Sequence, residues 1–173
     1  MSSQGKNLSE FDKTNLPDAT RLRIGIVVSE WNTTITEALF NGAYTTLTAS
    51  GVDPTNIHRI NVPGSFELTS GARFMASNHK VDAVICLGCV IQGETRHFEF
   101  ICQAVANGLT NLNLASGIPF IFGVLTTDTE AQALARAGGK HGNKGIEAAI
   151  TAIKMAALKT QNKEDRKIGF GGL

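Results

Sequence analysis

The chain has 173 residues, 42% hydrophobic and 18% charged, with a formal net charge of +1. That length and balance suit one globular domain with a substantial core, and near-neutrality gives no basic field for nucleic acid or an anionic membrane surface. No apolar stretch approaches the roughly 20 residues of a membrane helix, the first residues hold no apolar signal segment, and a cytoplasmic setting is the expectation.

Residues 1–22 are rich in Ser, Asn, Asp, Lys and Thr without an apolar period, which predicts an extended arm outside the core. From Arg23 the pattern changes. Residues 24–28 form a continuous apolar run, the sign of a strand covered on both faces. Asn32-Thr33 offers an N-cap, and Ile35, Leu39, Ala43 and Leu47 then recur at helical spacing until Gly51 stops the helix. The unit repeats, with strands predicted at 57–62, 82–91 and 119–126 and helices at 66–78 and 95–116. Two further helices, 129–137 and 145–160, follow the last strand, joined by the glycine-rich Gly138-Gly139-Lys140-His141-Gly142-Asn143. Alternating strands and helices imply right-handed crossovers between parallel strands. The expected architecture is therefore α/β, a three-layer α/β/α sandwich on a central four-stranded parallel sheet. A single domain at 23–160 is followed by a flexible tail at 161–173.

In an open parallel sheet, ligands collect at the carboxyl ends of the strands, so the loops there carry the functional argument. The most informative is Gly93-Glu94-Thr95-Arg96-His97, where an apolar run gives way to a helix. Free N–H groups at a helix start suit a phosphate or a developing oxyanion. The same field disfavours an imidazolium, leaving His97 as a neutral base. Trp31, the only tryptophan, follows the first strand and reads either as a lid over the first helix or as a plate for a flat heteroaromatic ligand. Ser65 and Glu67 follow a Pro-Gly turn at a helix start, where they either cap the helix or hold a polyol. Arg136 and Lys144 bracket the glycine-rich segment, a fork and a point charge suited to phosphate, or a solvated face beside a bend.

Other signals are weaker. Gly88-Cys89-Val90-Ile91-Gln92-Gly93 matches neither a P-loop nor a dinucleotide fingerprint. Cys86-Leu87-Gly88-Cys89 has C-x-x-C spacing but lies inside a strand, and buried packing is its simpler reading. His58, His79 and His141 form no metal-spaced set, so no metal is expected.

Five blocks carry a resemblance: Gly25-Ile26-Val27-Val28-Ser29-Glu30-Trp31-Asn32, Val62-Pro63-Gly64-Ser65-Phe66-Glu67-Leu68, the stretch from Gly88 to Phe98, Phe122-Gly123-Val124-Leu125-Thr126-Thr127, and the stretch from Arg136 to Gly145. In order and spacing they resemble the lumazine synthases of riboflavin biosynthesis, from about Arg23 to Leu158. The resemblance implies condensation of 5-amino-6-(D-ribitylamino)uracil with 3,4-dihydroxy-2-butanone 4-phosphate to 6,7-dimethyl-8-ribityllumazine, phosphate and water, without a cofactor. It implies that Trp31, where many relatives have phenylalanine, stacks on the pyrimidine beside Asn32. Ser65, Phe66 and Glu67 would hold the ribityl chain and ring edge, and Cys89, Val90 and Ile91 would meet the uracil through backbone. Glu94 and Thr95 would receive phosphate, His97 would move protons and Arg136 would stabilise the departing phosphate. Phe122, Arg136 and Lys144 would come from a neighbouring subunit of a pentamer. The compact 138–143 turn resembles that of relatives whose pentamers build icosahedral shells. A non-catalytic flavin- or lumazine-binding protein on the same scaffold is the alternative, and it has little use for His97 and Arg136 together. A purely structural cage leaves the loop polar groups unexplained.

Overall fold

Two apolar runs make the spine of the fold. In the computed structural model, which describes residues 16–168 with side chains through residue 159, β1 (Ile24–Ser29) is buried throughout. β3 (Ala83–Ile91) is buried over its first seven residues. They pair in parallel, Ile24 opposite Ala83 and Val28 opposite Leu87. The more polar β2 (Ile57–Val62) takes one edge, beside β1, and β4 (Phe120–Thr127) takes the other, beside β3. The result is one four-stranded parallel sheet of order β2-β1-β3-β4. The central strands are apolar on both faces because helices cover both.

Side-chain alternation feeds two cores. Ile24, Ile26, Val28, Ile85 and Leu87 join the core under α1 (Thr33–Ala49) and α5 (Lys144–Ile168). Val27, Val84, Cys86 and Val124 join the core under α2 (Leu68–Asn78) and α3 (His97–Ala115). Each fully buried Leu or Ile contributes about 1.5–3 kcal/mol, so the sheet interior dominates stability. Because the connection leaving β1 runs toward β2 and the one leaving β3 runs toward β4, the sheet has its switch point between β1 and β3.

Several element ends differ from the sequence reading. The predicted arm is not wholly outside the core: Ala19 is fully buried, and Leu16 and Leu22 pack against the α1/α5 side. Residues 1–15 of that arm lie outside the described residues. The last helix does not stop at 160 but continues to Ile168, because the Lys, Asn, Glu, Asp and Arg that follow are all compatible with helix and no Gly or Pro interrupts them. Most of the expected flexible tail is thus helical, and 169–173 lie outside the described residues. The helix predicted at 129–137 shrinks to α4 (Glu130–Leu134). The glycine-rich link becomes a small antiparallel hairpin of β5 (Ala137–Gly139) and β6 (Gly142–Asn143), with Gly138 at φ 115° and Gly142 at φ 78° making its reversal possible.

Candidate active site

A cleft of about 620 Å³ opens at the carboxyl ends of β1, β2 and β3, over the switch point of the sheet. The loop after β1 gives it Trp31 and Asn32, and the loop after β2 gives Gly64, Ser65, Phe66 and Glu67. The last turn of β3 adds Cys89, Val90 and Ile91, while α3 adds His97 and Ile101. Nine of the sequence-predicted site residues therefore share one cavity.

Backbone ties hold these loops together. The Glu30 N–H donates to the Val62 carbonyl at 2.9 Å, and the Trp31 N–H to the Pro63 carbonyl at 3.2 Å, so the first two loops are zipped side by side. Asn32 adopts the left-handed conformation, φ 60° and ψ 46°, which asparagine tolerates better than most residues. It precedes α1 but does not cap it with its side chain, as the sequence had suggested. Its Nδ2 instead donates to the Cys89 carbonyl at 3.0 Å, linking the β1 loop to the end of β3. Trp31, next to it, is 73% exposed at the cleft.

The sequence allows Ser65 and Glu67 to be either caps or ligand groups. Neither caps: α2 starts only at Leu68, without a side-chain hydrogen bond at its cap. The Ser65 hydroxyl is buried and, among the described residues, lacks a hydrogen-bond partner, as does that of Ser29. Both converge on Gly88, where a Cβ would lie 2.8 Å from Ser65 Oγ and 3.4 Å from Ser29 Oγ. A Cβ on Gly64 would lie 3.1 Å from Glu67 Oε2 and 3.4 Å from Trp31 Cδ1, so the carboxylate and the indole flank one glycine. Bare backbone at Gly88 makes room for the Ser65 and Leu68 side chains, while Gly64 itself lines the cleft.

His97 begins α3 and is exposed, with its N–H reaching the Thr95 hydroxyl at 3.4 Å. Its position at a helix N-terminus matches the sequence reading, two residues later than the predicted start. Glu94 and Thr95 are exposed just before it and do not line the cleft. The cysteines do not form a redox pair. Cys86 and Cys89 contribute to opposite sides of the sheet, and burial pushes their thiols up to about 12 and about 11, with Glu130 adding to the rise at Cys89. Cys89 is therefore a neutral wall.

Phe122, Arg136 and Lys144 lie elsewhere. Phe122 and Lys144 line a second hollow of about 540 Å³ along β4 and α5, where the Lys144 ammonium pairs with Glu147 at 2.8 Å. Arg136 adjoins the hairpin, its Nη1 donating to the Gln132 carbonyl at 3.4 Å. One chain thus brings together the aromatic, carboxylate and imidazole groups but not the cations. Sequence reasoning missed two residues of the cleft wall. Ile101 could have been found as the residue one turn beyond His97 on the same helix face, and Gly64 from its place between Pro63 and Ser65. Among the described residues no cluster of three or more potential metal ligands occurs, and no helix is long and apolar enough to cross a membrane.

Residues 21–160 match the family model for 6,7-dimethyl-8-ribityllumazine synthase. A Cytophaga hutchinsonii protein of that name is 59% identical over 91% of this chain and 98% of its own length. Another from Parabacteroides distasonis is 57% identical over 90% of this chain and 97% of its own. A third, from Flavobacterium johnsoniae, is 55% identical over 93% and 85% respectively.

Proposed function

The chain belongs to the 6,7-dimethyl-8-ribityllumazine synthase family, and from that premise we propose that it condenses 5-amino-6-(D-ribitylamino)uracil with 3,4-dihydroxy-2-butanone 4-phosphate to give 6,7-dimethyl-8-ribityllumazine, phosphate and water. The observation that carries this reading is the convergence of Trp31, Glu67 and His97 on one cleft at the switch point of the sheet. The indole stacks on the pyrimidine. Ser65, Phe66 and Glu67 hold the ribityl chain and ring edge, and Asn32 steadies the backbone of Cys89, Val90 and Ile91 that faces the uracil.

The ketone carbonyl and the ring amine of the pyrimidine form an imine with loss of water. A proton then leaves the butanone carbon and phosphate departs with its bonding electrons, producing an enol. Its keto form accepts the ribitylamine nitrogen, closing the second ring, and a second water leaves. His97, a base at a helix start, removes and returns protons in these stages. The N–H groups of Glu94 and Thr95 receive the phosphate of the second substrate, and Arg136 and Lys144 neutralise it as it leaves. Bringing the reactants into register supplies much of the acceleration, since orientation alone can provide effective molarities of about 10⁵ M or more.

The cations must then reach a cleft on another copy. In this reading Phe122, Arg136 and Lys144 of one subunit complete the cleft of the next in a pentamer, and shells of pentamers are the larger state. Its support is the separation of those residues from the cleft within one chain, together with apolar side chains left outside: Phe100 is 65% exposed and Leu114 82%. Light scattering reads out the assembly. The catalytic domain is residues 23–160, and the free cysteines suit a cytoplasmic setting.

Incubating the purified chain with both substrates tests the activity. Growth of lumazine fluorescence in step with phosphate release is the expected result. Binding of a lumazine without turnover would overturn it in favour of a non-catalytic carrier.

A further inference from the structure

We infer that Asn143 is a positioning residue for the cationic half of the site, an inference that rests on the function proposed above for Arg136 and Lys144. Asn143 ends β6 and is 8% exposed. Its Nδ2 donates to the Ala38 carbonyl of α1 at 2.9 Å, across 105 positions of sequence. Its Oδ1 accepts from the Gly145 N–H at 2.8 Å, one of the donors that the first turn of α5 leaves without a helical partner. One amide group therefore caps α5 and fastens the hairpin to α1.

The surroundings are shaped for that amide. A Cβ on Gly42 would lie 2.6 Å from Asn143 Oδ1, and a Cβ on Gly145 would run into the Leu39 carbonyl oxygen. Two glycines thus let α1 and the start of α5 close around the side chain.

The cations are attached directly to this clamp. Asn143 pairs with Ala137 across the hairpin, and the Lys144 N–H donates to the Arg136 carbonyl at 2.9 Å. Arg136 and Lys144 therefore leave the backbone from adjoining rungs, each next to a residue of the Ala137/Asn143 pair. Both origins move if the clamp moves. Asparagine is suited to the task because it offers a donor and an acceptor on one planar group, and both are used. Aspartate keeps the acceptor for Gly145 but sets a carboxylate oxygen against the Ala38 carbonyl.

The test compares Asn143→Ala, Asn143→Asp and Gly42→Ala with Arg136→Ala, measuring KM for each substrate, competitive inhibition by inorganic phosphate, and thermal unfolding. The expected result is that the Asn143 variants, still folded at the assay temperature, raise KM for the butanone phosphate and Ki for inorganic phosphate by roughly tenfold. KM for the pyrimidine should stay within about twofold. If Arg136→Ala raises the phosphate constants while folded Asn143 variants leave them alone, or move both substrates' constants equally, the positioning role is overturned and the proposed function stands. If Arg136→Ala leaves the phosphate constants unchanged, the reading of the cations falls and the positioning role falls with it. Should both Asn143 variants fail to fold, Gly42→Ala, which only crowds the same amide, makes the same comparison.

Discussion

The cleft above β1, β2 and β3 is fastened at three points, by the backbone bonds of Glu30 to Val62 and Trp31 to Pro63 and by the Asn32 side chain on the Cys89 carbonyl. The cationic region beyond β4 is organised differently. Only Asn143 ties its hairpin to α1 by a side-chain hydrogen bond among those described, and its functional groups stand at a distance from the cleft, Lys144 answered by its own Glu147. In the proposed function the first region binds and reacts within one chain, whereas the second supplies charge to the cleft of another copy. A site divided in this way makes assembly a condition of catalysis in the proposed function, because phosphate departure requires the second region and proton transfer the first.

The division can be broken most directly from both sides. His97→Ala should lower kcat by about 10²-fold or more by removing the proton carrier, and Arg136→Ala by about 10²-fold by removing phosphate stabilisation. Mixing the two impaired variants, unfolded and reassembled together, should raise turnover above that of either alone, since some clefts would then pair an intact His97 with an intact Arg136. No recovery, with mixed oligomers demonstrated, would place both residues at the same chain's site. Next in size, Gly88→Ala should lower stability by about 1–3 kcal/mol through crowding of Ser65 and Leu68, with loss of pyrimidine affinity, as read by denaturant unfolding and titration calorimetry. Trp31→Ala should raise the pyrimidine KM roughly tenfold, about 1.4 kcal/mol, while Trp31→Phe stays near the parent. An unchanged KM in the alanine variant would remove the indole from the binding scheme.

The smallest effect lies outside both regions and serves as their control. The Arg59 guanidinium hydrogen-bonds Glu37 and also stacks 4.1 Å over the Phe40 ring. That hydrogen bond holds the Glu37 carboxyl below its ordinary 4.5, against the opposing effect of burial. A depressed folded-state value means the stabilisation is present above pH 4.5 and disappears as pH falls through the lower folded value. The pair is partly exposed, which limits it to under about 1 kcal/mol. Thermal melts of Glu37→Gln should therefore show a lower Tm at pH 7 and a shallower decline between pH 5 and pH 3 than the parent, with turnover at pH 7 unaltered. Parallel declines would show that the pair contributes nothing to folding.

Strand positions were legible because each buried strand is an apolar run bounded by polar loop residues, and their parallel direction followed from alternation with helices, whereas the order β2-β1-β3-β4, set by three-dimensional packing, was not legible. The cleft was legible for the same reason: Trp31, Ser65, Glu67 and His97 all fall just past strand ends. The hairpin was not, since strands of three and two residues, mostly glycine, carry no alternating pattern. Nor was the role of Asn32, whose residue type is equally suited to a cap and to a left-handed turn. Capping preference depends on local sequence alone, while the bond to Cys89 depends on a partner 57 residues away. Arg136 and Lys144 illustrate the same limit, because motif spacing records their identity without recording which cleft lies within their reach.

The left-handed turn at Asn32 has a consequence for how such a molecule can be changed. The frame is secured by the asparagine, while the neighbouring ring is largely exposed and its residue is hydrogen-bonded to the frame through main chain, Trp31 N–H to the Pro63 carbonyl. In the proposed function the aromatic group is accordingly an interchangeable fitting on a fixed mount: rings of other sizes at position 31 would suit other heterocycles, provided position 32 is left alone.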